Sequence, residues 1–240
     1  MLDPYKFANI AFQGRRFLGP YASESIVDMI GGIKGEVLDI GCGNGSVMEA
    51  TNAIGVGIDR NPSMIEEARL RNPDCRFYDE DAKSILPTLN LNPDIIICLG
   101  ASQAIGMPNE ALSYFCNMLR PGGYLLFGDG IWDAEPSQHY LDFLGMRKED
   151  SVSFDEFQNF GQAFGLAPVK SYRSTSQDWD SFEDHYYHTM IKWCEENPAD
   201  PDEPAFRTRM TAWRDAYLSY GRGTLGYAIV LYQKEPLLPN

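Results

Sequence analysis

Val37-Leu38-Asp39-Ile40-Gly41-Cys42-Gly43-Asn44-Gly45 is the stretch whose reading decides the fold. Its first half is a short apolar run of strand type. Its second half sets three glycines at alternate positions, where a backbone can turn sharply and come close to another group. Outward from it, strand and helix alternate. Residues 46–52 read as a short helix and residues 53–59 as a second strand. Asn61-Pro62 then caps and starts a helix, with Pro at the first position, where its missing N–H costs nothing; Met64, Ile65 and Ala68 supply its apolar face. Residues 75–78 make a third strand. Asp94-Ile95-Ile96-Ile97-Cys98-Leu99 makes a fourth, apolar on both faces as a strand covered on both sides must be. Pro108 opens a helix that Pro121-Gly122-Gly123 ends, and Tyr124-Leu125-Leu126-Phe127 is a fifth strand. Strands separated by helices of this length predict βαβ units, and so an α/β fold with a doubly wound, mostly parallel sheet.

The flanks are less regular. Residues 21–30 read as a helix ended by Gly31-Gly32, residues 153–164 as a helix, 169–174 as a strand and 225–233 as the final strand. Between those last two strands, residues 178–221 are acidic and rich in Trp and Tyr, with a Pro-rich break over 197–204 between two helical stretches. The segment is too apolar for a linker and reads as a helical lid. The organisation expected is a single domain over 1–240: an N-terminal cap (1–33), a first half (34–131) and a second half (132–240) carrying the helical insert at about 178–221.

The chain has 240 residues, of which 44% are hydrophobic and 12% aromatic, enough to fill a core and to exclude a disordered chain. Asp and Glu number 34 against 20 Lys and Arg, a net charge of −14, which repels phosphate backbones and anionic lipids and argues against a nucleic-acid or membrane partner. Cys42, Cys75, Cys98, Cys116 and Cys194 are odd in number and contain no CxxC, so neither a zinc site nor a redox pair is suggested, and no metal is expected. The first residues lack the basic-then-apolar run of a signal peptide. No uncharged apolar run approaches the roughly 20 residues needed to span a bilayer. A cytoplasmic chain is expected.

In an open parallel sheet, ligands bind at the carboxyl ends of the strands, beside the switch point next to the first strand. Eighteen residues after Gly41 the second strand ends in Asp59, which can accept hydrogen bonds from both hydroxyls of a ribose. A dinucleotide would need G-x-G-x-x-G. Counted from Gly41 the third glycine falls on Ser46, and counted from Gly43 it falls on Met48. Neither frame fits a nicotinamide dehydrogenase. Asp39 would repel a pyrophosphate but suits a ligand carrying ammonium and sulfonium charges.

Residues 37–45 resemble the first motif of class I S-adenosylmethionine-dependent methyltransferases, a Rossmann-like family. Val56-Gly57-Ile58-Asp59 followed by Met64-Ile65-Glu66-Glu67-Ala68 resembles the second. Asp79-Glu80-Asp81-Ala82 is similar to the segment that holds adenine, Asp94 to Ala101 to the fourth-strand motif, and Leu119-Arg120-Pro121-Gly122-Gly123 to the turn into the fifth strand. The resemblance implies a seven-stranded sheet and S-adenosyl-L-methionine as cofactor. It implies that Asp39 and the backbone of Gly41, Cys42 and Gly43 hold the methionine portion, and that Asp59 holds the ribose. Arg60 and Met64 would pack on the adenine faces, Asp81 would accept from its amino group, and the Ala82 N–H would donate to its ring. Leu99, Gly100 and Ala101 would line the amino-acid end. Core for Met64, and the cap of the following helix for Asp81, are the lesser readings.

For the acceptor the sequence is less specific. In this family the sixth strand runs parallel to the first five, so the insert, the stretch 129–136 and the N-terminal arm 12–21 would emerge on the cofactor side and enclose a small-molecule pocket. His139, His185 and His188 fall in this late region and are candidate bases. Trp132, Tyr140, Trp179 and Tyr186 are candidates for an aromatic wall, or for core, and Arg222 for an acidic acceptor or an internal ion pair. After the fourth strand, Leu99-Gly100-Ala101-Ser102-Gln103 replaces the Asn/Asp-Pro-Pro-aromatic tetrad of base-methylating members, which argues against amino methylation of adenine. Methyl transfer to O or N of a small molecule, ahead of C, is the reading favoured. A noncatalytic S-adenosylmethionine-binding regulator or scaffold is the alternative, and the number of subunits is unread.

Overall fold

The computed structural model describes residues 3–236; Met1 and Leu2, which open the N-terminal stretch read above, and residues 237–240 lie outside the described residues. Seven strands form one sheet in the order β3-β2-β1-β4-β5-β7-β6: β1 (Glu36–Ile40), β2 (Ile54–Ile58), β3 (Arg76–Tyr78), β4 (Ile95–Leu99), β5 (Tyr124–Trp132), β6 (Leu166–Arg173) and β7 (Leu225–Lys234). β1 to β5 pair in parallel, while β7 runs antiparallel to both β5 and β6. β6 therefore runs with the first five, and its end opens on the same edge as Ile40.

The strands read as continuous apolar runs because both faces are covered. Side chains alternate across the sheet. Leu38, Ile40, Ile96, Cys98, Leu125 and Phe127 pack against α6 (Pro108–Met118) and α8 (Phe154–Asn159) on one face. Val37, Ile95, Ile97 and Leu126 pack against α2 (Ser23–Ile30) and α4 (Pro62–Arg71) on the other.

Several expected boundaries shift, among them β6, which begins at Leu166 rather than 169. β5 extends through Trp132 rather than ending at Phe127, because the ten-residue β7 offers a backbone partner to each of its nine residues, Asp129 and Gly130 included. The loop expected from 129 therefore starts at Asp133. The helix expected over 153–164 is split, with Phe160–Phe164 tightening into a 3₁₀ turn.

The insert is a pair of helices, α9 (Ser176–Glu196) and α10 (Glu203–Ala216), on either side of the Pro-rich break. Thr175 and Asp178 close a reciprocal capping box at the start of α9 and fix its exit from β6. The pair has its own core of Met190, Cys194 and Met210, into which α1 (Lys6–Ala11) inserts Phe7 and Ala11. Among the described residues no helix is long and apolar enough to cross a membrane.

On the α8 face, the buried Tyr232 hydroxyl donates to the Phe157 carbonyl at 2.5 Å. Tyr232→Phe removes that bond, although the carbonyl keeps a backbone N–H at the end of α8, and should lower stability by about 0.5–1.5 kcal/mol, read as an earlier urea midpoint at unchanged slope.

Candidate functional site

Three positive φ angles shape the turn after β1: 71° at Gly41, 50° at Gly43 and 71° at Gly45. This is the left-handed region that side chains resist. A Cβ on Gly41 would overlap the Ala101 methyl, and one on Gly43 would meet Leu18. The turn is pinned to β2, where the Gly41 and Cys42 amides donate to the Ile58 carbonyl at 2.8 and 3.1 Å. The Gly43 amide donates to Asp59 Oδ2 and the Asn61 amide to Asp59 Oδ1, both at 2.9 Å. Asp59 is half-buried and each oxygen keeps a further lone pair for an outside donor.

Asp39 is treated differently. It is 3% exposed, and its Oδ2 is buried without a hydrogen-bond partner. Burial, then the neighbouring Asp59 charge, push its pKa up to about 8. A buried carboxylate without a partner is costly unless something cationic joins it. Cys42 is buried beside it, and burial raises its thiol well above the ordinary range, so it remains a thiol.

The other cofactor candidates lie along the same edge. After β4, Gly100 (φ 67°) and Ala101 form a turn tied to β5 by Gly100 N–H donating to the Gly128 carbonyl at 2.8 Å, with Leu99 just before it. Ala101 touches Gly41, so the β1 and β4 turns abut. Met64 is buried on α4 but stands outside both sheet-packing clusters. Asp81 caps the short helix α5 (Ala82–Ile85): its Oδ1 accepts from the Ser84 amide and hydroxyl, both at 3.1 Å, while Oδ2 lies 3.9 Å from the exposed Arg60. The cap reading thus accounts for one oxygen only. Ala82 opens that helix, where an N–H has no partner within the helix.

The acceptor-side candidates do not converge. His139 is exposed against the Tyr220 ring, and His188 is exposed beside Tyr187. His185 Nε2 sits 3.1 Å from the Gln13 carbonyl, its pKa lowered by burial and by Arg15. Trp132 and Tyr140 belong to a satellite core with Leu141 and Ala216, and the Trp132 indole donates to the Lys148 carbonyl. Tyr186 stacks within a Phe7, Phe12 and Phe182 cluster. Arg222 is committed to Asp180 by two bonds of 2.9 and 2.6 Å. Only Trp179 packs against the cluster that holds Tyr21 and Tyr227, and its indole nitrogen is buried without a partner.

Sequence reasoning gave no individual role to the residues that bridge the insert and the glycine turn. Arg15 donates to the Phe17, Gly19 and Ser181 carbonyls, and its own carbonyl accepts from Asn44. Asn9 accepts from Asn61 at 2.6 Å. The helical pair thus reaches the glycine turn through the N-terminal arm. Asp129, on β5, was also passed over, although an acid between two glycines inside an apolar strand is a visible signal. Its Oδ2 accepts from Ser102 Oγ at 2.5 Å. Among the described residues no cluster of His, Cys, Asp or Glu is arranged to hold a metal.

A methyltransferase-domain family model matches residues 34–155. Escherichia coli (strain K12) protein YjhP is 23% identical over 205 residues, covering 80% of this chain and 82% of YjhP. A ubiquinone biosynthesis O-methyltransferase of Shewanella sp. (strain ANA-3) is 28% identical over 135 residues, 53% of this chain and 57% of that protein. The fold is shared with a SAM-dependent methyltransferase from Geobacter sulfurreducens, solved in complex with S-adenosyl-L-homocysteine: TM-score 0.87 at 24% identity, covering 98% of this chain and 100% of that one.

The Asp39 environment sets a stability test. Unfolded, the carboxyl ionises near 3.9; folded, it holds its proton to about 8. The native state therefore loses stability as pH rises from about 4 towards 8. Asp39→Asn removes this penalty. The ligand-free variant should be more stable than the wild type above about pH 5, by at least about 1 kcal/mol near pH 8, and equal to it near pH 4, in urea titrations across that range.

Proposed function

The chain belongs to the methyltransferase-domain family, and on that premise we propose that it moves a methyl group from S-adenosyl-L-methionine to an oxygen or nitrogen atom of a small-molecule acceptor. The observation that carries this reading is the unpartnered Oδ2 of Asp39 beside the glycine turn. A ligand with an ammonium and a sulfonium meets a buried carboxylate there, whereas a pyrophosphate would be repelled. The dinucleotide alternative also lacks its third glycine, since position 46 is Ser and position 48 is the fully buried core residue Met48.

When bound, S-adenosyl-L-methionine supplies a methyl group already activated by the sulfonium charge. The chain has to bind, orient and dehydrate. Asp39 takes the ammonium, with the Gly41-Cys42-Gly43 backbone and the Leu99-Gly100-Ala101 turn lining the amino-acid end. The remaining lone pairs of Asp59 accept from the ribose hydroxyls. Asp81 Oδ2 and the Ala82 N–H would hold the adenine edge, and Met64 and Arg60 would pack on its faces. The arm, tied to the turn through Asn44 and the Arg15 carbonyl, would help keep water from the bound ligand, and holding donor and acceptor in line would supply most of what a methyl transfer needs. The relative named an O-methyltransferase of ubiquinone biosynthesis supports a small acceptor, as does the net charge of −14, which disfavours nucleic acid.

Calorimetry tests this. S-adenosylmethionine and S-adenosylhomocysteine should bind, and NADH should not. Because the free Asp39 carboxyl is largely protonated at pH 7 and becomes ionised against an ammonium, about one proton should leave per ligand bound, seen by comparing buffers of different ionisation enthalpy. Asp59→Ala should weaken both ligands by at least about ten-fold. Heat with NADH and none with the sulfonium ligand would overturn the reading.

A further inference from the structure

We propose that the acceptor binds in the cavity beside β5, and that it is an apolar amine held as its ammonium by Asp129, which takes the proton that must leave before methyl transfer. The proposal rests on the reading above and adds to it the acceptor's chemistry and place.

The position follows from the register. Leu99, the last residue of β4, pairs with Gly128, so Asp129 stands one residue beyond the end of β4. There its carboxylate meets Ser102, the residue after Ala101, and Ala101 is in contact with Gly41. A short run of touching groups thus links the glycine turn to Asp129. Along β5, Leu125, Phe127 and Ile131 share the face of Asp129 and are all buried on the α6 and α8 side. Asp129 is the one acid in an otherwise apolar row. Its Oδ2 accepts from Ser102 and its Oδ1 from the Gly130 amide at 2.8 Å, but it forms no ion pair among the described residues. Burial pushes its pKa upward.

The cavity measures about 480 Å³, a size suited to a small organic molecule. Val152, Phe157 and Leu225 contribute apolar wall, and its charged lining consists of Asp129, Glu149 and Asp150, with no Lys, Arg or His. Arg147 balances two of these from outside, 3.3 Å from Glu149 and 2.6 Å from Asp150. Asp129 alone is left uncompensated. A carboxylate or phosphate acceptor would find like charge and no counter-ion. An apolar body carrying one ammonium matches both wall and charge.

The chemistry balances. The ammonium N–H passes its proton to Asp129, freeing the nitrogen lone pair. That lone pair bonds to the methyl carbon as the carbon–sulfur bond breaks, and its electron pair stays on sulfur, which becomes a neutral thioether. The product is a methylated ammonium, and the proton on Asp129 goes to solvent. Ser102 is a positioning residue: its hydroxyl holds one carboxylate oxygen.

The test uses the full chain, with and without S-adenosylhomocysteine, titrated by ligand-observed NMR with matched amines, alcohols and carboxylates, of which phenethylamine, phenethyl alcohol and phenylacetate are the aromatic set. Amines should bind tightest and carboxylates not measurably. Asp129→Asn should weaken amines by about ten-fold, the scale of a charge-assisted hydrogen bond, while S-adenosylhomocysteine affinity stays within about two-fold. Met107→Arg, at an exposed wall position that does not threaten folding, should reverse the preference towards carboxylates. With S-adenosylmethionine, the wild type should methylate the tightest-binding amine near pH 7, and Asp129→Asn only as pH approaches the amine's own pKa. Carboxylates binding as well as amines, no amine binding, or amine affinity unchanged in Asp129→Asn would overturn the site. A bound amine left unmethylated would overturn the proton transfer. Loss of S-adenosylhomocysteine binding by the wild type would instead overturn the functional reading on which the proposal stands, while the amine series without it still decides the cavity.

Discussion

Two carboxylates stand at neighbouring strand ends, and the protein satisfies only one of them. Asp59 receives the Gly43 and Asn61 amides. Asp39, deeper and wholly enclosed, keeps one oxygen without any partner. The Gly41 and Cys42 amides cannot help, because they donate to Ile58. A buried acid in this state either holds its proton or waits for a cation. The alternating glycines answer a second constraint. Each has a positive φ, and a Cβ on Gly41 or Gly43 would overlap the Ala101 methyl or the Leu18 side chain.

The arm ties the helical pair to that turn. Arg15 is partly buried, yet none of its donors meets a carboxylate among the described residues; they go to carbonyls of the arm itself and of α9. It acts as a staple between loop and helix, with its guanidinium 4.9 Å from the Phe182 ring centre. α1 then anchors the arm from the far side, through Phe7 in the helical core and Lys6 held between Asp200 and Asp202. The arm and the helical pair thus lie far apart in sequence, and together they reach the glycine turn by way of the N-terminal residues.

This explains which parts of the molecule were legible from sequence. β1, β2 and β4 declare themselves because burial on both faces demands unbroken apolar runs, and the glycine turn because left-handed φ angles demand glycine. The alliance of α1 with α9 and α10 left no local trace, since Phe7 meets Phe206 only in the fold. The end of β5 was misjudged for a similar reason: Asp129-Gly130 reads as a loop until β7 supplies its hydrogen-bond partners. Aromatic residues were ambiguous because burial and ligand stacking draw on the same side chains. Trp132 and Tyr140 went to packing in a satellite core, and Trp179 packs against the cluster that holds Tyr21 and Tyr227.

Strand alternation adds a last constraint on how two reactants could meet. Asp39 shares its face of β1 with Val37, on the α2 and α4 side, whereas Asp129 shares its face of β5 with Phe127 and Ile131, on the α6 and α8 side. The two acids therefore belong to opposite faces, with the end of β4 between them. Burial raises the Cys98 thiol of β4, and both Asp129 and Asp39 are close enough to raise it further. A donor held at Asp39 and an acceptor held at Asp129 would each approach from its own face and meet over the Gly100-Ala101 turn. Gly100, at φ 67°, keeps that crossing free of a side chain. In-line transfer needs the nucleophile and the leaving sulfur on opposite sides of one carbon, and acids on opposite faces of one sheet edge would keep the two ligands from competing for the same carboxylate.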